Sequence, residues 1–145
     1  MPLDSAMESA STRAMMSGVV AIVTVGAGGA VGAVLRHEVA RRVTVRLGHG
    51  TFGIFAVNFT GSFLIGMMAG WLLPTGGATS SPGVPWLLLV TGVLGSYTTV
   101  SSFSLQTLTL LREGKAGAAI LNIAASMVLC ISATAAGFAL MMGLA

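Results

Sequence analysis

Gly92-Val-Leu-Gly95-Ser96-Tyr97-Thr98-Thr99-Val100-Ser101-Ser102-Phe103-Ser104 is the stretch whose chemistry decides the fold. It lies in the middle of a charge-free run of 27 residues from Pro85 to Leu111, longer than the roughly 20 a helix needs to cross a hydrocarbon core. Six Ser or Thr hydroxyls and two glycines at mid-membrane make a poor lipid-facing helix. A Ser or Thr can return its hydroxyl to the carbonyl four residues earlier, which accounts for one or two of them but not for six. The stretch therefore predicts a span broken near its middle. Irregular backbone at that depth is tolerated only where it faces protein, ions or water, and broken helices of this kind mark ion sites in several transporter folds.

The rest of the chain repeats the membrane signal. Of 145 residues, 54% are hydrophobic and 8% charged, against about 25% charged in a soluble domain. Between the eleven acidic and basic residues lie four charge-free apolar stretches, Ser17 to Leu35, Thr51 to Leu73, Pro85 to Leu111 and Ala116 to Leu144, the second and third parted by an uncharged link. Each is about long enough to cross a bilayer, and their Gly and Ala content suits closely packed membrane helices. The expected fold class is an all-α integral membrane protein of four transmembrane helices, the third broken. A cleaved signal peptide is disfavoured, because the first apolar stretch is too long and its basic residues follow it. Cys130 is the single cysteine, so there is no disulfide framework.

Residues 1–16 are polar and rich in small side chains, and read as a flexible N-terminal tail; residues 17–145 read as one membrane domain. The link from Arg36 to Gly50 has enough apolar residues for an interfacial helix. The link from Pro74 to Pro85 is Pro, Gly, Ser and Thr without charge, an irregular loop. The link from Arg112 to Lys115 is so short that the last two spans must be an antiparallel pair. Links one and three hold six of the seven basic residues, and the opposite side holds only Arg13. By the positive-inside rule, both links are cytoplasmic and both termini face outward. An isoelectric point near 10 does not point to nucleic acid, since the basic residues flank membrane spans; anionic lipid headgroups are the expected neighbours.

Several polar side chains lie inside the other spans. Asn58 is an amide amid apolar residues, costly in hydrocarbon unless hydrogen-bonded. It reads either as glue between helices or as a donor lining a polar pathway. Asn122, Ser126 and Cys130 follow one another at intervals of four, forming one stripe along a helix face; packing alone is the commoner use of such a stripe. No Asp, Glu, Lys, Arg or His occurs within a span, so no titratable relay crosses the membrane. The glycine run Gly26 to Gly32 is not a dinucleotide fingerprint, because no strand precedes it. Nothing resembles a catalytic triad, paired carboxylates or a phosphate loop, and enzyme activity is not expected.

These residues resemble the CrcB/Fluc family of fluoride channels. The resemblance rests on Gly28-Gly-Ala-Val-Gly-Ala-Val-Leu-Arg36, on Gly50-Thr through Asn58 with Gly61-Ser-Phe63, and above all on Gly95-Ser-Tyr-Thr-Thr-Val-Ser-Ser-Phe103. It covers nearly the whole chain after Ser17. What it implies is an antiparallel dimer in the bacterial plasma (inner) membrane, with two fluoride pathways along the interface. Asn58 matches the family's pore asparagine, and Phe103 matches the second of two phenylalanines whose ring edges, the positive part of the quadrupole, contact the anion. Ser101 or Ser102, Ser126 and Asn122 would add to the pathway, and Arg36 matches a basic residue near the vestibule. Gly95 and Thr98 match positions whose backbone carbonyls hold a structural sodium ion at the dimer centre.

There are departures. The first phenylalanine of the pair is Val100 here, a glutamate that usually follows falls on Gln106, and a fourth-span tyrosine of some members falls on Asn122. A homodimer would have an incomplete aromatic box in both pores. The six-to-one charge bias also fits a subunit of fixed orientation, paired with a homologous subunit of opposite topology that supplies the missing ring. Two other functions compete: a non-conducting or regulatory subunit of such a channel, kept open by Val100 and Gln106, and a small multidrug-type exporter. The exporter would need a membrane-embedded carboxylate, and none is present.

Overall fold

A computed structural model of the protein describes residues 2–72 and 83–144, excepting the side chains of residues 2–14. The described residues are almost wholly helical and include no strand. Helix α1 spans Pro2–Leu47, α2 Gly50–Leu72, α4 Val100–Arg112 and α5 Ala116–Leu144. Between α2 and α4 lies α3, composed of a wide π-helical segment, Trp86–Leu94, and one tighter turn, Gly95–Tyr97. Four helical stretches are long and apolar enough to cross a membrane, with α3 and α4 together forming the third.

Spans two to four end within a residue or so of the apolar stretches read from the sequence. Around the first span the helix goes further. It begins at Pro2, inside the stretch expected to be a flexible tail, and runs without interruption through Arg36 to Leu47, so the anticipated interfacial helix is the end of α1 itself. Nothing between Arg36 and Leu47 breaks a helix; Gly48 does, with φ +75° and its N–H on Thr44 O. At the end of α4, Gly114 has φ +73°, its N–H bonds Leu111 O, and Lys115 N–H bonds Leu110 O. That pair of bonds is a Schellman stop, which turns the chain at once into α5. The loop expected over 74–85 falls mostly outside the described residues; Val84 and Pro85 are already helical.

Small residues dominate the interior, alongside buried Val57, Leu94 and Tyr97, while most large apolar side chains face outward. Buried positions include Gly28, Gly32, Gly61, Gly66, Gly92, Gly137, Ala119 and Ala133, whereas Ile22 and Ile120 are 74% and 66% exposed. With lipid as apolar as leucine, helices associate by close backbone approach rather than by hiding large side chains. At the α1–α3 crossing, a methyl group on Gly28 or Gly32 would overlap the carbonyl of Leu88 or Val93. At the α2–α5 crossing, Gly66 lies against the Thr134 carbonyl and Gly137 against that of Phe63. Thr134 Oγ1 reinforces this contact, reaching Ser62 O at 3.1 Å as well as Cys130 O at 3.0 Å.

The third span is interrupted at two residues. Thr98 (φ −72°, ψ 156°) and Thr99 (φ −150°, ψ 121°) are extended, with helix on both sides. This is the break that the hydroxyl-rich stretch predicts.

Candidate functional site

The break opens on a groove of about 270 Å³. Helix α2 lends it Asn58, Ser62 and Ile65; the break and α4 lend Thr98, Thr99, Val100 and Phe103; α5 lends Ser126, Met127 and Cys130. None of these side chains carries a formal charge, yet amide, hydroxyl, thiol and aromatic ring all converge there. Such a lining can meet a small ion with weak donors and release it again.

Asn58 holds the break in place. Its Nδ2 donates to the Thr99 carbonyl at 2.9 Å, and its Oδ1 accepts from the Thr99 N–H at 2.8 Å. Two backbone groups without a place in either helix are thereby satisfied by one side chain, as they must be at this depth. A primary amide has two N–H donors, so one hydrogen of Nδ2 remains beyond the Thr99 bond. Asn58 thus ties α2 to the third span and lines the groove.

Thr99 organises the other side of the break. It caps α4, its Oγ1 accepting from Ser102 N–H at 3.3 Å, and the same oxygen lies 3.2 Å from the hydroxyls of both Ser101 and Ser102. The N-terminus of α4 thus opens half way along the span, with the positive end of its dipole and first-turn N–H groups beside the groove.

Comparison with known proteins places the chain in a family. A family model described as "CrcB-like protein, Camphor Resistance (CrcB)" matches residues 23–138. The chain belongs to the CrcB family. A relative from Bradyrhizobium diazoefficiens, named "Fluoride-specific ion channel FluC 2", is 45% identical over 140 residues, covering 95% of this chain and 98% of that protein. Relatives named "Fluoride-specific ion channel FluC" from Novosphingobium aromaticivorans and Caulobacter vibrioides are 41% and 42% identical, covering 83% and 80% of this chain and 95% and 91% of their own.

The site residues expected from the CrcB resemblance fall into three groups. Asn58, Thr98, Phe103 and Ser126 meet at the groove. Ser101 and Ser102 are not in its wall and reach it through Thr99. Asn122 and Arg36 are elsewhere: the Asn122 amide donates to Thr107 Oγ1 at 2.9 Å, and Arg36 is half-buried on α1. Gly95 is exposed at the last turn of α3. Of the departures besides Asn122, Val100 is on the groove rim and 77% exposed, while Gln106 donates to Gly50 O at 2.9 Å, joining α4 to the start of α2. Sequence reasoning missed Thr99 as the centre of the site, although a Thr directly before a helical run is a capping signal. It also missed Tyr97, buried beneath the break with its hydroxyl 3.0 Å from Thr60 Oγ1.

Proposed function

We propose that the chain is one subunit of a fluoride-selective channel that lowers cytoplasmic fluoride by passive export. The observation that carries this reading is the uncharged, donor-lined groove at the break of the third span. Fluoride is small and strongly hydrated, so a pathway must exchange its water for several weak donors without trapping it against a full positive charge. The spare Asn58 hydrogen, the Ser126 hydroxyl and the first-turn amides of α4 are such donors, and the Phe103 ring offers its positive edge. Ser101 and Ser102 extend this hydroxyl path by way of Thr99. Relatives across almost the whole chain carry the name fluoride-specific ion channel. The apolar stretches of the spans hold no carboxylate, lysine, arginine or histidine for proton coupling, which favours passive movement over pumping or catalysis.

A structural sodium ion fits the break. Thr99 N–H, which a continuous helix would return to Gly95 O, goes to Asn58 instead. Ser102 N–H, which would return to Thr98 O, goes to Thr99 Oγ1. The carbonyls of Gly95 and Thr98 are thus released from the helical ladder, and oxygen ligands of this kind suit a hard cation. When bound, the ion would neutralise the negative ends of these carbonyls at the break.

The subunit acts in a dimer with a homologous chain of opposite topology. The groove has walls from α2, α4 and α5 and is open beyond the Val100 rim, where a second subunit bearing an aromatic ring would complete it. The six-to-one Lys/Arg bias supports one fixed insertion, both termini outside a bacterial plasma membrane, with Arg36 at the cytoplasmic vestibule. Fluoride efflux from proteoliposomes, read with a fluoride electrode, tests both levels. Slow efflux with the chain alone and fast efflux with a partner of reversed Lys/Arg balance is expected. Full efflux without a partner overturns the heteromeric assembly. No efflux with any partner overturns the channel reading in favour of a non-conducting subunit, the reading that Val100 on the rim favours.

A further inference from the structure

Asn122 stands outside the groove, but its hydrogen bonds lead back to it. Its Nδ2 donates to Thr107 Oγ1 at 2.9 Å, and Thr107 Oγ1 donates to the carbonyl of Phe103, also at 2.9 Å. The order of donors is forced: the one hydroxyl hydrogen of Thr107 goes to Phe103 O, so the atom facing Thr107 from Asn122 must be the N–H₂ group. A two-step relay therefore joins α5 to the backbone of the residue whose ring lines the groove.

The relay matters because α4 buries so little of itself; its other ties, Asn58 to Thr99 and Gln106 to Gly50 O, run to α2, not to α5. Thr107 is the sole buried residue of α4, and no apolar side chain of that helix is buried. On α5, Ser126 follows Asn122 by one turn and Cys130 follows by a second, and both line the groove opposite Phe103. A contact that fixes α4 on α5 at Asn122 consequently fixes the gap between the Phe103 ring and Ser126.

We propose that Asn122 is a positioning residue: through Thr107 it sets the width of the groove between α4 and α5, and hence which anion fits. The width rests on the geometry of the bundle; its expression as anion selectivity rests on the fluoride-channel reading.

Two readouts keep these apart. Cys130 is the only cysteine in the chain and lines the groove, so its alkylation rate by a small thiol reagent in the purified protein reports groove width without any transport. The fluoride-to-chloride flux ratio in proteoliposomes reports selectivity. Asn122→Leu and Thr107→Val should each speed Cys130 alkylation and lower the flux ratio by about fivefold, the factor carried by one net hydrogen bond. The double variant should do no more than either single one, and Thr107→Ser should keep both values at wild type. A purely structural role would lower the yield of folded protein and leave both values unmoved. Unchanged alkylation in the two single variants, or effects that add in the double one, would overturn the proposal. If the wild type moves no fluoride even when paired with a partner subunit, the channel reading fails, and the alkylation rates still decide whether Asn122 sets the groove.

Discussion

The side-chain amide of Asn58 and the main chain of Thr99 form a closed pair of hydrogen bonds, 2.9 Å from Nδ2 to the carbonyl and 2.8 Å from the N–H to Oδ1. One strand would offer another the same pattern. Here a side chain on α2 supplies it to an unwound point in a neighbouring span.

Asn58→Leu removes both bonds while keeping the volume. It leaves two backbone groups unpaired within the membrane-spanning bundle, at about 1–3 kcal/mol each. The thermal midpoint in detergent should fall clearly, and any fluoride flux should be lost with it. Asn58→Asp should be no milder, because an ionised carboxylate at this depth is costly to bury unpaired and faces the Thr99 carbonyl without a hydrogen to give, although it still accepts from Thr99 N–H. A midpoint unchanged in Asn58→Leu would contradict the latch.

Thr99→Val deletes the cap of α4 and frees Ser101 and Ser102, a loss of about 1 kcal/mol. Amide hydrogen exchange should quicken at Val100, Ser101 and Ser102, with little change in α5. Thr99→Ser keeps the hydroxyl and should exchange like the wild type.

Gly32→Leu tests the α1–α3 crossing, where even a methyl would overlap the Val93 carbonyl. Forcing the helices apart should cost about 1–3 kcal/mol, as overpacking of a close contact does. Gly26→Leu, in open space on the same helix, is the control and should leave the midpoint where it was.

Val100→Phe places a ring on a side chain that is 77% exposed at the groove rim. No packed core opposes it, so stability should hold. In a dimer of identical chains the change should raise fluoride efflux, since each pore would regain an aromatic edge. Efflux no faster than wild type would show that the missing ring is not what limits the chain alone.

Much of this architecture is legible in the residues, and the limits have physical causes. Span three ends and span four begins beside Arg112, Glu113 and Lys115, because a charge in hydrocarbon is too costly to bury; the ends of span two and the start of span three are marked instead by Gly, Pro and Ser. α1 overruns its charge-free stretch at both ends, since Arg, Ala and Val continue a helix as readily in an interface as in lipid. The break was readable from six crowded hydroxyls, but not its position at Thr98 and Thr99, which depends on Asn58 reaching across from 41 residues away. Asn122 shares a stripe with Ser126 and Cys130, yet its amide turns to Thr107 on α4. Spacing along one helix gives the stripe; only the neighbouring helix decides which members of it meet the groove. The π-helical width of Trp86–Leu94 had no counterpart in the sequence pattern at all.

Fluoride efflux from proteoliposomes containing wild-type protein and its partner subunit, set beside the same vesicles carrying Asn58→Leu, tests the central claim most directly. Rapid fluoride loss without chloride loss in the wild type, abolished in the variant, is the result expected of a channel built around the break. Equal fluoride movement in both, or none in either, would contradict it.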